Sequence, residues 1–161
     1  MSLNTTVNGL AALLIGVAVF GRPSMADTPS PFLGKWVLNI PKSNFGSSAP
    51  LKSEVFSMAD PGDGLWHSTV DYQEGDTKTH IEYTTAGDGK PVPVTGTSEV
   101  DAVAVTKVDD STVKFVFKKN GKRVEWGTWK LSKSGKSLRG PISGLDPDGK
   151  TWAFHYVFDR Q

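Results

Sequence analysis

The chain contains no cysteine, which excludes a disulfide framework, thiolate zinc sites and cysteine nucleophiles. A strong charge of one sign is also missing, because 18 basic residues stand against 17 acidic ones, a formal net charge of +1 with histidine neutral. A nearly neutral chain has no general attraction for nucleic acid or anionic lipid. We therefore expect no nucleic-acid partner and a fold stabilised by an ordinary hydrophobic core.

Long hydrophobic runs are equally scarce. The longest, from Leu10 to Phe20, has about half of the roughly 20 residues that a membrane-spanning helix needs. It suits the apolar segment of a secretory signal peptide, and Ser24-Met25-Ala26 offers small residues for cleavage. We expect residues 1–26 to be a signal peptide and residues 27–161 a single domain exported to the periplasm or beyond, with no stable membrane span. Since no Lys or Arg precedes the run, a retained amphipathic or anchoring tail is the alternative.

Helical periodicity is absent after Phe32, where apolar and polar residues alternate between closely spaced turn residues. Asn120-Gly121 is the strongest hairpin signal, and Pro91 and Pro93 indicate an edge or a bulge. The pattern predicts ten strands, at 32–38, 53–59, 65–73, 77–85, 90–95, 101–108, 112–119, 123–132, 137–145 and 151–159. Short connections favour antiparallel neighbours, and exposed edges favour closure. We predict an all-β, antiparallel up-and-down barrel of about eight to ten strands, with a β-sandwich as the alternative.

Aromatic residues are concentrated on one face of each predicted strand. If these faces point inward, nine side chains line the interior: Trp66, Tyr72, Tyr83, Phe115, Phe117, Trp126, Trp152, Phe154 and Tyr156. Glu125 then faces outward, and Trp129 breaks the alternation, either by capping a barrel end or through a bulge at Gly127. A closed barrel has room for one small ligand, so the expected partner is a small hydrophobic or aromatic molecule.

The segment FLGKWVLNIPKSNFG carries a G-x-W motif at Gly34 and Trp36. This motif resembles that of the lipocalin superfamily. Together with PVTG at 93–96 and the ending VFDRQ, the segment resembles small secreted bacterial lipocalin-like domain proteins. The resemblance implies a calycin-type barrel in which Trp36 closes one end beneath a late arginine, Arg160 or Arg139, with a cation–π contact of about 0.5–2 kcal/mol. The second G-x-W, at 127–129, is interpreted as ordinary strand sequence.

Catalytic and cofactor motifs are not found: the chain has no nucleophile elbow, phosphate-binding glycine loop or HExxH. We expect no catalytic residue, metal or cofactor. Four alternatives stay open. They are a cofactor-free enzyme that uses a polar group such as Glu125, a metal site at His67, His80 and Glu82 on the outer face, haem bound through His155, and a barrel filled by its own side chains that acts as a structural or interaction module.

Overall fold

The computed structural model describes residues 29–161, so the predicted signal peptide, residues 1–26, lies outside the described residues. Ten strands follow one another, at β1 Gly34–Leu38, β2 Ser53–Ala59, β3 Trp66–Glu74, β4 Thr77–Thr85, β5 Asp88–Pro93, β6 Ala102–Asp109, β7 Thr112–Lys119, β8 Lys122–Leu131, β9 Ser137–Leu145 and β10 Thr151–Arg160. A short 3₁₀ helix, Ile40–Lys42, follows β1. Within residues 29–161 no helix is long and apolar enough to cross a membrane.

The strands form one antiparallel sheet in which sequence neighbours pair, except at one point. The order is β4-β3-β2-β1-β10-β9-β8-β7-β6-β5, so β1 pairs with β10, and β4 and β5 are the two edges. The edges meet through one residue pair: the Glu82 N–H donates to the Thr95 carbonyl at 3.0 Å, and the Thr95 N–H donates back at 2.9 Å. The result is a nearly closed up-and-down barrel, which confirms the predicted fold class over the sandwich.

The core is unequally packed between the two ends of the barrel. At the end where β1 begins and β10 finishes, the inward side chains are fully covered: Trp36 is 0% exposed, and Phe32, Leu138 and Phe158 are each 1% exposed. We call this the closed end. The opposite end, where β2 and β10 begin, is called the open end, because its inward side chains are only half-buried.

The G-x-W motif builds the closed end. The Arg160 guanidinium lies 4.0 Å from the centre of the Trp36 ring, and the Trp36 indole N–H donates to the Phe32 carbonyl at 2.9 Å. Gly34 has a φ of 126°, and a Cβ there would lie 2.9 Å from Arg160 Nη1. Only glycine suits that conformation, so the motif combines a ring, a cation above it and a residue small enough to admit the cation.

Replacing Arg160 by alanine is expected to lower the free energy of unfolding by about 2–4 kcal/mol. The reason is that Arg160 also donates to the carbonyls of Gly135 at 2.7 Å, Leu33 at 2.6 Å and Pro31 at 2.5 Å. Denaturant unfolding followed by far-UV circular dichroism measures the loss. Arg139→Ala is the matched control, because Arg139 is exposed and its removal should change stability by about 0.5 kcal/mol or less. Equal losses in the two variants would contradict this role.

A bulge near the start of β8 inverts the expected alternation. Phe117 pairs with Glu125, but the next residue of β7 pairs with Arg123, which leaves Val124 without a partner. An extra residue shifts every later side chain to the other face. Glu125 therefore faces inward and Trp126 outward, where the Arg123 guanidinium lies 3.8 Å from the centre of its ring. The predictions that Trp126 faces inward and Glu125 outward are wrong for this reason.

The second G-x-W belongs to core packing in the closed half. Trp129 faces inward and stacks on Phe115 at a centroid distance of 5.6 Å, and it meets Phe158 edge-on at 5.2 Å. A Cβ on Gly127 would lie 2.6 Å from the Phe115 ring, so the glycine makes room for that ring. The register is unbroken at Gly127, and the predicted bulge lies at Val124 instead.

Candidate functional site

The inward face of β10 changes from buried to half-buried towards the open end. Phe158 is 1% exposed and Tyr156 6%, whereas Phe154 and Trp152 are half-buried. The rings stand on one face of a barrel strand, so the surface that they retain faces the interior or its mouth. Water therefore reaches the inward face of the barrel at the open end, and we call the space that these side chains border the cavity.

One wall of this space is a continuous stack of aromatic rings. Trp152 and Phe154 stack at 4.7 Å between centroids, and Phe154 and Tyr156 stack at 5.9 Å. Phe45, from the segment after the 3₁₀ helix, packs against Phe154 at 5.7 Å and Tyr156 at 5.2 Å. Backbone pairing between Asn44 and β10 holds that segment in place. The wall offers an apolar aromatic surface that is partly uncovered.

Glu125 lies beside this wall because of a glycine between them. Glu125 pairs with Gly144, and Gly144 pairs with Trp152, so the three form one row across β8, β9 and β10. A Cβ on Gly144 would lie 2.1 Å from the Trp152 indole. The indole thus lies across Gly144 and leans towards the strand that carries Glu125.

A second acid, Glu54, projects from the opposite wall. On β2 it shares the inward face with Phe56 and Met58, and it pairs with Tyr72 of β3. The Tyr72 hydroxyl donates to Glu99 Oε2 at 2.8 Å, which brings an exposed loop acid to the mouth of the cavity. The open end thus places two carboxyls and two phenols, those of Tyr72 and Tyr156, among aromatic rings.

Protein atoms crowd both inward carboxyls, although each retains some accessible surface. Neither carboxyl is sealed from solvent, because Ser68 Oγ is the one side-chain polar atom of residues 29–161 that lacks both solvent contact and a hydrogen bond. Each carboxyl therefore lies in a crowded position that solvent still reaches. The ion pairs found within residues 29–161 include neither Glu54 nor Glu125. The two acids are therefore uncompensated by any described Lys or Arg.

The acidity of these groups is strongly shifted by the loss of hydration. Burial, and then the negative charge of Glu125, raise the pKa of Glu54 from 4.5 to about 8. Burial, and then the charge of Glu99, raise the pKa of Glu125 from 4.5 to about 7. Burial also raises the pKa of Tyr72 and Tyr156 above the usual value for tyrosine. Near neutral pH Glu54 is thus largely protonated and Glu125 about half protonated, so they can donate as well as accept hydrogen bonds.

The nine side chains expected to line the interior fall into three groups. Four surround the cavity: Tyr72, Trp152, Phe154 and Tyr156. Four are buried within the packed core: Trp66, Tyr83, Phe115 and Phe117. The ninth, Trp126, lies on the outer surface because of the bulge at Val124.

Two residues of the site, Glu54 and Phe45, are absent from the sequence-based predictions. A signal for Glu54 exists, because it alternates with Phe56 and Met58, whose apolar character marks the inward face of β2. Phe45 lies in a loop without periodicity, and its inward position depends on backbone pairing with β10, for which the sequence gives no signal.

The histidines lie on the outer face. His80 Nδ1 is 2.7 Å from Asp71, and both His67 and His80 are near Glu82, at 3.4 and 3.6 Å. His67 pairs with Thr84 rather than with His80, and His155 is exposed. Within residues 29–161 no group of three His, Cys, Asp or Glu side chains has the arrangement of a metal site. The outer acids and histidines form hydrogen bonds and ion pairs with one another instead. The hydrogen bond to Asp71, the largest cause, raises the pKa of His80.

No family model and no curated protein matches the chain. Among solved structures it is similar to a point mutant of the fluorescent protein UnaG, with 14% identity over 81% of this chain and 96% of that one and a TM-score of 0.50. It is also similar to a redesigned β barrel (12% identity, 82% and 93% covered, TM-score 0.47) and to zebrafish ileal bile acid-binding protein complexed with cholic acid (12%, 82% and 100%, 0.49). The likeness to UnaG shows a shared fold, and it supports the predicted calycin-type barrel.

Proposed function

We propose that this chain is a binding protein that holds a small apolar or aromatic molecule in the cavity at the open end. The observation that carries the proposal is the uncovered aromatic wall, because the Trp152 and Phe154 rings face inward and keep accessible surface. Apolar surface in contact with water costs about 25 cal/mol per Å². A guest that covers these rings recovers that free energy, while Glu54, Glu125 and Tyr156 supply the few polar contacts that fix its orientation.

We also propose that the protein acts after export, as a secreted lipocalin-like protein. This part of the proposal is supported by the sequence of residues 1–26, whose apolar segment is too short to span a membrane and is followed by a small-residue cleavage site. Export does not require disulfide bonds here, because the described residues contain no cysteine and the closed end is stabilised by a fully buried hydrophobic core.

Binding is tested by titration with N-phenyl-1-naphthylamine, an uncharged fluorescent probe, with decanol as the competitor. We expect saturable probe fluorescence, quenching of tryptophan emission because Trp152 lies in the cavity wall, and displacement of the probe by decanol. A response that grows linearly with probe concentration and is insensitive to decanol would overturn the proposal.

Gly144→Ala is expected to weaken probe binding at least about tenfold. The added Cβ would overlap the Trp152 indole at 2.1 Å, so the ring must rotate off the wall and into the cavity. The φ of Gly144 is outside the left-handed region, and the substitution therefore tests space alone. The matched control is Ser143→Ala, the adjacent position on the outer face, which should leave probe affinity unchanged. Equal probe affinities in the two variants would show that Trp152 does not belong to the binding site.

Catalysis is a second candidate, favoured by one observation. The pKa of Glu125 is raised to about 7, which is the range of an efficient general acid or base at neutral pH. Turnover of a cavity-bound substrate that is lost in Glu125→Gln would separate this candidate from simple binding.

A further inference from the structure

The interior of the open end contains acidic side chains, and none of the ion pairs within residues 29–161 includes Glu54 or Glu125. Glu54 and Glu125 face inward from β2 and β8, and Glu99 lies at the mouth. Arg160, the cation that packs against an interior ring, lies over Trp36 at the closed end. Desolvated carboxyls without a cationic partner are unfavourable in a folded protein. A bound cation would offset this cost.

An independent feature of the same cavity is an unused hydroxyl. Tyr156 is 6% exposed, and no hydrogen bond is made by its hydroxyl within residues 29–161, although buried tyrosines normally find a partner. Tyr156 lies on the inward face of β10, and Glu54 and Glu125 are near enough for their charges, after burial, to raise its pKa. The side chain is thus more than nine-tenths buried, while its hydroxyl keeps contact with solvent and is free to bond a ligand atom.

The aromatic wall suits one kind of ligand charge. The faces of Trp and Tyr rings attract cations by about 0.5–2 kcal/mol, and more when the cation is desolvated. Trp152, Phe154 and Tyr156 form the stacked wall beside Glu125, so an ammonium group next to Glu125 would lie near these rings. An anionic head group would meet Glu54, Glu125 and Glu99 with no described cation to offset the repulsion, and a neutral guest would leave the acids uncompensated.

We propose that the guest is an amphipathic organic cation, an amine or quaternary ammonium compound, whose charged group lies between Glu54 and Glu125 and whose apolar body covers the rings of Trp152, Phe154 and Tyr156. This inference rests on the proposed binding function and specifies its ligand class. A bare metal ion is a poorer occupant, because within residues 29–161 no set of three metal-ligating side chains converges, and an ion would leave the aromatic wall uncovered.

The cation restores the charge balance of the cavity. Near neutral pH Glu54 is mostly protonated and Glu125 about half protonated, and Tyr72, Tyr83 and Tyr156 are neutral. An ammonium group between the carboxyls favours their ionised form, so binding must release a proton from Glu54 or Glu125 to the buffer. Glu99 and Glu74, the nearby acids at the mouth, act in the same direction by adding negative potential.

The test compares three ligands with the same apolar body: decyltrimethylammonium, decanol and decanoate. Each is titrated calorimetrically into the full chain at pH 8, below its micelle concentration. We expect the ammonium to bind at least about tenfold more tightly than decanol, and decanoate to bind most weakly. At pH 7, repetition in buffers of different ionisation enthalpy should show proton release with the ammonium and none with decanol.

The double variant Glu54→Gln, Glu125→Gln locates the effect. It should reduce the ratio of ammonium to decanol affinity about tenfold and abolish proton release. Glu82→Gln, which changes an outer-face acid, is the control and should preserve the wild-type ratio. If decanol or decanoate binds as tightly as the ammonium, the charge inference is overturned and the binding function stands. If the double variant keeps the ammonium preference, the assignment to these two acids is overturned. If none of the three ligands binds, the proposed function itself fails.

Discussion

Replacing Glu54 and Glu125 together by glutamine is expected to raise the free energy of unfolding of the ligand-free protein at pH 8 by about 3–5 kcal/mol. Their pKa values are raised from 4.5 to about 8 and about 7 by burial and by neighbouring acids. At pH 8 the unfolded chain ionises both groups freely, whereas the folded chain must either hold a proton on them or keep a poorly hydrated charge. Glutamine has nearly the same shape and does not ionise.

The sign of the pH dependence follows from the direction of these shifts. Between about pH 4.5 and pH 8 the folded state binds more protons than the unfolded state, so wild-type stability falls as pH rises through this window. His80 acts in the same direction, because Asp71 raises its pKa, but it is present in both proteins and cancels. Denaturant unfolding from pH 4 to pH 8 should therefore show wild type and variant converging at pH 4 and diverging towards pH 8. Parallel curves would show that the two carboxyls are well hydrated.

Gly140→Ala is expected to cost at least about 3 kcal/mol of stability, or to prevent folding. A Cβ on Gly140 would lie 1.7 Å from the Thr128 carbonyl oxygen and 2.9 Å from the carbonyl carbon. Both atoms belong to the backbone of β8, so relief requires β8 and β9 to separate in the middle of the sheet. Gly140 does not have a positive φ, and the cost therefore reports the close approach of the two strands alone.

Gly144→Ala is the internal comparison for this effect. It lies on the same strand and the same inward face, but its Cβ would meet the Trp152 side chain at 2.1 Å. A side chain can rotate where a backbone carbonyl cannot, so Gly144→Ala should lose about 1–2 kcal/mol, well below the loss for Gly140→Ala. Thermal unfolding by circular dichroism measures both. Similar losses would mean that the sheet adjusts at Gly140 without parting the strands.

The ten strands could be predicted from the sequence because each one carries its own signal. Alternating residues between Asn, Asp and Gly turns define a strand locally, and short connections then leave antiparallel neighbours as the only arrangement. The closure of the barrel followed from the same local information. The G-x-W motif at Gly34 and Trp36 is also local, although its geometry depends on Arg160 from the far end of the chain.

The interior lining was harder to predict, because it depends on how strands pair. One unpaired residue, Val124, reverses the two faces of β8 and exchanges the positions of Glu125 and Trp126. Nothing local distinguishes that residue, since the bulge is defined by the register of β8 against β7. An aromatic side chain gave a misleading signal here: Trp126 packs beneath the guanidinium of Arg123 on the outer surface.

The acidic pair was missed for a related reason. Glu54 and Glu125 are 71 positions apart in the printed sequence, and they face one cavity only because the sheet curls until β2 and β8 stand on opposite walls. The apolar neighbours of Glu54 in β2 indicate its inward face, but a glutamate at the start of a strand also suits the surface. The coincidence of two such acids in one interior requires the three-dimensional arrangement.

The seam between β4 and β5 is the one weak junction in an otherwise continuous ring of paired strands. Within residues 29–161, Glu82 and Thr95 join the two edges through two backbone hydrogen bonds and a longer one from the Thr95 hydroxyl, at 3.4 Å, while the other junctions are ladders of several residue pairs. Parting this seam widens the barrel without breaking a strand ladder, and it costs these hydrogen bonds, each worth roughly 1 kcal/mol, together with the contact between the Tyr83 and Phe117 rings. For the proposed guest, this seam is therefore the side of the barrel that opens with the fewest broken backbone hydrogen bonds.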